Sequence, residues 1–220
     1  MIYFISDIHE DINFGGLKKY LEIATDDDLL IILGDIGLNF RDTAENQAFT
    51  ESFLSIKKNI AFIEGNHENF DYLNSFPIEK WKGGLVNRLT HNIVRLMRGN
   101  VYEIDSFKFF TFGGCKSSAK WKEKGLWHFG EEPTEQECAF AVENLKKHQN
   151  SVDYVLTHKY EVEGLGSTRC QLLFDLCRYI DHNVNFKKWL AGHWHKIFNQ
   201  DEKHLYIYDQ LLTIDELENQ

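Results

Sequence analysis

The chain has 220 residues, 43% of them hydrophobic, enough for one substantial core, and it is read as a single domain over residues 1–220. Its 34 acidic residues outnumber the 24 Lys and Arg, giving a formal net charge of -10 that disfavours nonspecific attraction to a polyanion, although bound cations would create positive sites this count omits. The N-terminal MIYFISDIH lacks the basic and apolar regions of a secretory leader, and no apolar run reaches membrane-spanning length; a cytoplasmic protein without a membrane partner is expected.

Residues 2–6 read as a strand running straight into Asp7 and His9, and residues 15–24 as the first helix. After the solvated run Asp26, Asp27 and Asp28, the apolar stretch 29–33 is short and stopped by Gly34, which suits a strand buried on both faces. Residues 43–57 form the next expected helix, with Thr43 as N-cap, and residues 60–63 a third strand ending at Glu64-Gly65. This alternation predicts an α/β architecture with chemistry collected where strands end. From Val86 onward the pattern turns to hairpins over 93–96, 101–104 and 107–112, with a turn at Asp105-Ser106. Thr134 followed by Glu137 predicts a capping box opening a helix. Residues 152–156 lead as a strand into Thr157-His158, a helix is expected over 168–180, and residues 189–191 precede Gly192-His193-Trp194-His195. A terminal strand is expected around Ile207.

Polar stations follow these apolar runs: Asp7 with His9, Asp35, Asn66 with His67, His158, and His193 with His195. Any one has a bland reading: a hydrogen-bonded histidine, an aspartate cap, or turn glycines at Gly34, Gly65 and Gly192. Their co-occurrence favours a shared site. Carboxylate, amide and imidazole donors together suit manganese, iron or zinc better than a magnesium site made only of oxygens. His91, His128, His148, His182 and His204 are assigned to loops or surface-like helices. Cys115, Cys138, Cys170 and Cys177 show no zinc-binding spacing, and Cys170 and Cys177, in an apolar helical pattern, read as buried thiols of a reducing compartment.

Asp7-Ile8-His9, Gly34-Asp35, Gly65-Asn66-His67-Glu68, Thr157-His158 and Gly192-His193-Trp194-His195 resemble, in that order, the motif set of the calcineurin-like metallophosphoesterases. The resemblance implies an α/β fold, a two-layer β-sandwich flanked by helices, and an active site at the strand ends. It implies two divalent metal ions, manganese first, with iron, zinc or nickel as alternatives. Asp7, His9 and His195 would hold one, Asn66, His158 and His193 the other, and Asp35 would bridge them. Catalysis would rest on Asp35 and His67: a metal-bridging hydroxide attacks phosphorus while His67 contacts the phosphate or the departing oxygen. The expected substrate is a small phosphorylated molecule or nucleotide, with nucleic acid not favoured. A metal-binding scaffold, a nuclease and a protein phosphatase are the alternative readings.

Two departures bear on specificity. Protein phosphatases of that family continue the Gly-Asp block with acidic and basic residues where this chain has Leu38 and Asn39, and the first block reads His9-Glu10 instead of His-Gly. Arg41 reads as an exposed loop residue. The segment 114–133, with Lys116, Ser117, Ser118, Lys120, Trp121, Lys122, Lys124, Trp127 and His128, reads as a packed loop, with lining of a cleft as the alternative.

Overall fold

The computed structural model describes residues 1–163 and 169–219. In chain order the elements are β1 (Ile2–Ile5), α1 (Gly15–Ile23), β2 (Leu29–Leu33), α2 (Ala44–Leu54), β3 (Asn59–Ile63) and α3 (Phe70–Asn74). There follow β4 (Ile78–Trp81), β5 (Gly84–Arg88), β6 (Ile93–Leu96), β7 (Asn100–Ile104), β8 (Phe107–Phe112), α4 (Ala119–Glu123) and α5 (Glu135–Lys147). The chain closes with β9 (Tyr154–Thr157), α6 (Gln171–Asn183), β10 (Lys188–Ala191), β11 (Phe198–Asn199), β12 (His204–Tyr206), β13 (Leu212–Thr213) and α7 (Ile214–Glu218).

The strands form a seven-stranded sheet, β13-β1-β2-β3-β6-β5-β4, and a six-stranded sheet, β11-β12-β10-β9-β8-β7. At the heart of each the pairing is parallel: β1 with β2 and β2 with β3 in the first, β8 with β9 and β9 with β10 in the second. Strand alternation divides the core. Leu29, Ile31 and Leu33 of β2 meet Phe109, Tyr154, Leu156 and Leu190 of the other sheet, while Leu30 and Ile32 pack outward with Leu17 and Tyr20 of α1 and Phe49 and Phe53 of α2. On the opposite side, Phe110, Phe112, Val155 and Trp189 pack with Ala141 and Leu145 of α5 and Leu173, Leu176, Cys177 and Ile180 of α6. The result is the expected two-layer sandwich flanked by helices.

Local chemistry accounts for the boundaries. Thr43 caps α2 by accepting from Asn46 N, and Thr134 with Glu137 forms the expected capping box of α5. The turn Asp105-Ser106 joins β7 to β8, with Ile104 opposite Phe107. Several expectations shift. Helix α2 stops at Leu54, before Lys57. The expected helix start at Thr168 lies outside the described residues, and α6 runs from Gln171 to Asn183. The last strands are β12 and β13, so Ile207 follows a strand, although its N–H still bonds Ala191 O. The β4–β5 hairpin and helices α3 and α4 carry little apolar periodicity and are not anticipated from sequence. His204 is no surface residue: it is buried in β12, stacked on Tyr160 and hydrogen-bonded to Asp181 and Asp201. Among the described residues no helix is long and apolar enough to cross a membrane.

Candidate metal centre

The parallel strands of both sheets deliver their C-terminal ends to one place. Asp7 and His9 follow β1, Asp35 follows β2, Asn66 and His67 follow β3, His158 follows β9, and His193 and His195 follow β10. Asp7, His9, Asp35 and His195 present donor atoms within 4.8 Å of one another, and so do His158, His193 and Cys115. Asn66 joins the second group, its Oδ1 lying 3.2 Å from His158 Nε2. Asp35 reaches both: Oδ2 is 3.6 Å from His9 Nε2 and Oδ1 is 3.4 Å from His158 Nε2. All seven donor residues expected from the sequence are therefore brought together, as two groups that share one carboxylate.

The donor chemistry fits divalent cations. His158 Nδ1 lies 2.8 Å from the carbonyl oxygen of Leu33, which only accepts, so Nδ1 carries a proton and Nε2 faces the cluster. His9 Nε2 and His195 Nε2 are 2.8 Å apart, and His193 Nδ1 is 3.3 Å from His158 Nε2. Imidazole nitrogens converging this closely beside carboxylates need a shared proton or a shared cation. The His195 ring is held by stacking on Tyr208, with centroids 5.2 Å apart.

The backbone is bent to make this convergence. Asp7, His9, Asp35, His193 and His195 have φ values of 58°, 44°, 54°, 74° and 49°. Each such residue in the left-handed region costs roughly 1–2 kcal/mol, so surrounding bonds must hold it. They do: Asp7 N donates to Gly34 O, His9 N to Asp35 O, His193 N to Asp7 Oδ2 at 2.9 Å, and His67 N to Asp35 Oδ1 at 2.8 Å. Gly65 and Gly192 are more than turn residues. A Cβ on Gly65 would lie 2.0 Å from Asp35 Oδ1, and one on Gly192 would lie 1.9 Å from Ser6 Oγ and 2.6 Å from Asp7 Oδ2.

Burial works against ionising Asp35, but His158, His67 and His9 outweigh it and hold its carboxyl well below the usual carboxylate range. Burial pushes His193 well below the usual imidazole value, with His158 adding to the effect. His195 moves the other way, raised by its bond to Asp7. Burial also lowers His67, against a pull upward from Asp35. Glu68 is fully buried, and its carboxyl oxygens accept from Ile36 N at 2.9 Å and Gly37 N at 3.1 Å, fastening the Asp35 loop; burial, with Asp35 beside it, pushes the group up to about 8.

The segment 114–133 is part of the site. Asn66 Nδ2 donates to Ser117 Oγ at 3.1 Å, and Ser117 Oγ donates to Glu131 Oε2 at 2.7 Å while Ser117 N donates to Oε1. This chain of bonds turns the Asn66 amide so that Oδ1 faces His158. Burial pushes the Glu131 carboxyl up to about 7. Trp121, on α4, meets the His67 ring edge-on with centroids 4.7 Å apart, and His67 also touches the rings of His9 and Phe40. Beneath, the buried Glu64 carboxylate lies 2.7 Å from Arg98 Nε and 3.2 Å from Arg95 Nε, while Arg98 Nη2 donates to the carbonyls of Gly130 and Glu131. Glu131, Glu64 and Cys115 are singled out by no sequence motif, and Ser117 stands only in the alternative reading of the 114–133 segment as a cleft lining.

Residues 1–197 match the family model described as calcineurin-like phosphoesterase. The chain belongs to the calcineurin-like phosphoesterase family. No curated protein matches it closely enough to count as a relative. Among solved structures, TT1561 of Thermus thermophilus is similar with a TM-score of 0.53 at 14% identity, covering 98% of this chain and 95% of that one; the likeness is one of fold. The phosphopantetheinyl hydrolase (PptH) from Mycobacterium tuberculosis is similar with 17% identity, 94% and 89% coverage and a TM-score of 0.41. The protein of unknown function AQ665 from Aquifex aeolicus shows 16% identity, 84% and 87% coverage and a TM-score of 0.40.

In this calcineurin-like phosphoesterase, Leu38 is buried in the core, and the Asn39 carbonyl accepts from Asn69 Nδ2. Glu10 and Arg41, both departures or outliers in the sequence, form an ion pair at 3.3 Å, with Arg41 on the exposed side as expected. The cleft over the cluster measures about 320 Å³ and is lined by Lys116, Ser118, Trp121, Lys159 and Trp194 beside His67 and Asp35.

Proposed function

We propose that this chain is a dinuclear metal-dependent phosphoesterase that hydrolyses a phosphomonoester or phosphodiester of a small molecule or nucleotide. The observation carrying this reading is the pair of donor groups meeting at the Asp35 carboxylate, with the His67 ring beside them in the cleft. In this reading Asp7, His9 and His195 hold one divalent cation, Asn66, His158 and His193 hold the other, and Asp35 serves both. The cations would supply Lewis acidity toward phosphoryl oxygens and acidify the attacking water. Manganese is the leading choice, and iron, zinc or nickel suit the same mixed donors.

The chain's own groups do the positioning. Against burial, His158, His67 and His9 hold the Asp35 carboxyl well below the usual carboxylate range, and Leu33 O accepts the His158 Nδ1 hydrogen bond and aims Nε2 at the cluster. His67 donates a hydrogen bond or proton to the departing oxygen, and Trp121 sets its ring plane. A cleft of about 320 Å³ lies at the small end of ligand pockets, which favours a compact phosphorylated substrate over a polymer. Leu38 and Asn39 offer neither the acid nor the base associated with phosphoprotein substrates. The proposed compartment is the cytoplasm, where the four free thiols stay reduced.

Manganese-loaded protein, with metal content verified, should hydrolyse some member of a panel of phosphomonoesters, cyclic nucleotides, dinucleotides and single-stranded DNA. Hydrolysis of none would leave the metal-binding scaffold as the better reading. His67→Ala should lower kcat by about 10²–10⁴-fold while metal content is retained; equal loss of metal and turnover would remove its assigned role. Glu131→Gln places an amide donor against a Ser117 donor, freeing Asn66 to flip. Affinity for one of the two cations should fall about 10–100-fold, read by metal titration, and unchanged affinity would show that the Ser117 bridge does not orient Asn66.

A further inference from the structure

Cys115 lies three residues beyond the end of β8 and is completely buried. Its Sγ is 3.0 Å from Asn66 Oδ1 and 3.6 Å from His193 Nδ1, and all three of Cys115, His158 and His193 present their donor atoms within 4.8 Å of one another. Cys138, Cys170 and Cys177 share the outer apolar cluster with Cys115 but, among the described residues, belong to no donor group.

These separations have the scale of ligand-to-ligand edges around a single ion. With metal–nitrogen bonds of about 2.0–2.1 Å and metal–sulfur bonds of about 2.3 Å at tetrahedral angles, two nitrogens lie about 3.3 Å apart and a sulfur and a nitrogen about 3.5 Å apart. The His158 Nε2 to His193 Nδ1 separation is 3.3 Å and the Cys115 Sγ to His193 Nδ1 separation is 3.6 Å. Asn66 Oδ1 lies 3.2 Å and Asp35 Oδ1 3.4 Å from His158 Nε2, so both belong to the same donor group. Asn66 Oδ1 also accepts from the Cys115 S–H, with Sγ 3.0 Å away.

We propose that Cys115 is a thiolate ligand of the second cation, making that position a sulfur-containing site beside a purely nitrogen- and oxygen-ligated one. This rests on the two-metal reading above. Coordination replaces the S–H bond by an S–metal bond, and the proton leaves to solvent. The chemical consequence is unequal sites. A thiolate selects zinc or another soft cation, whereas Asp7, His9, His195 and Asp35 accept manganese readily. The native centre would then be mixed, with the softer ion held by Asn66, His158, His193 and Cys115 together with the Asp35 carboxylate that both sites share. A thiol that merely packs against Asn66 would leave the two sites alike in softness.

Cobalt(II) distinguishes these possibilities, since a thiolate bound to it gives an intense near-ultraviolet charge-transfer band. The full-length protein loaded with two equivalents of cobalt should show the band. Cys115→Ser should lose it while Cys138→Ser, Cys170→Ser and Cys177→Ser keep it. Cys115→Ala should lower the preference of one site for zinc over manganese at least about tenfold, with the Tm of each variant read alongside. Two bound cobalt ions without the band in the unmutated protein would overturn the thiolate assignment and leave the metal centre intact. Failure to bind cobalt, zinc or manganese would overturn both together.

Discussion

Asp35→Ala should empty both cation sites at once and lower turnover by on the order of 10³-fold or more. Removing a single neutral donor that faces developing charge costs an enzyme about 10²–10³ in kcat; Asp35 carries a full charge and faces both donor groups. Its carboxyl is buried, and against that burial His158, His67 and His9 hold it well below the usual carboxylate range, so a neutral water in its place would not supply the charge both cations use. Asp35→Asn is the useful companion. It preserves an acceptor for the His67 N–H, which Asp35 Oδ1 receives at 2.8 Å, and so separates loss of charge from loss of loop geometry. Metal analysis after gel filtration, alongside kcat, provides the reading. Undiminished binding of two cations by the alanine variant would eliminate the bridging role.

The largest effect on stability is expected away from the donor atoms, at Glu64. This carboxylate is buried between Arg95 and Arg98, which are themselves buried. Burial opposes its ionisation, and the two guanidiniums outweigh that opposition and hold it below the ordinary value. Glu64→Ala takes the carboxylate from between them and should cost about 3–5 kcal/mol, a fall in Tm of roughly 6–20 °C for a chain of this size. Arg98 also fastens the carbonyls of Gly130 and Glu131, so the variant should lose order in the segment bearing Ser117. Thermal unfolding of the metal-free protein checks the first point. A change below about 1 kcal/mol, the range of exposed pairs, would mean that water reaches this pair.

The donor residues are legible in the sequence because each follows a short apolar run, and a parallel strand buried on both faces has that appearance whatever surrounds it. Asp7, Asp35, Asn66 and His158 all stand one to three residues beyond such a run. The same rule reaches Cys115, which follows β8 by the interval of Asn66 after β3; its lack of a cysteine partner in sequence conceals it. Glu131 and Ser117 are fourteen residues apart and act through one bond pair, so no spacing betrays them. The β4–β5 hairpin is an edge element whose first strand alternates exposed and half-buried positions, leaving little hydrophobic signal. His204 looks superficial because Asp201 and charged neighbours surround it in sequence, yet Tyr160 and Asp181 bury it from distant elements. Trp121 requires knowledge of where α4 lands.

The division of the sandwich into two sheets has a consequence for the whole molecule. Asp7 and His9 come from the first sheet and His195 from the second; Asn66 comes from the first, and His158, His193 and Cys115 from the second. A cation seated in either group therefore rivets one layer to the other at a single rim. By mass action, an ion present at a hundred times its dissociation constant adds about 2.7 kcal/mol to the folded state, a sizeable part of the roughly 5–15 kcal/mol that holds a typical protein together. The coupling also runs outward. Any substitution that lets the layers slide, even deep in the core shared by Ile31 of β2 and Phe109 of β8, would spread the donors and loosen the ions' hold. In the two-cation reading, ion retention and interlayer packing rise and fall together.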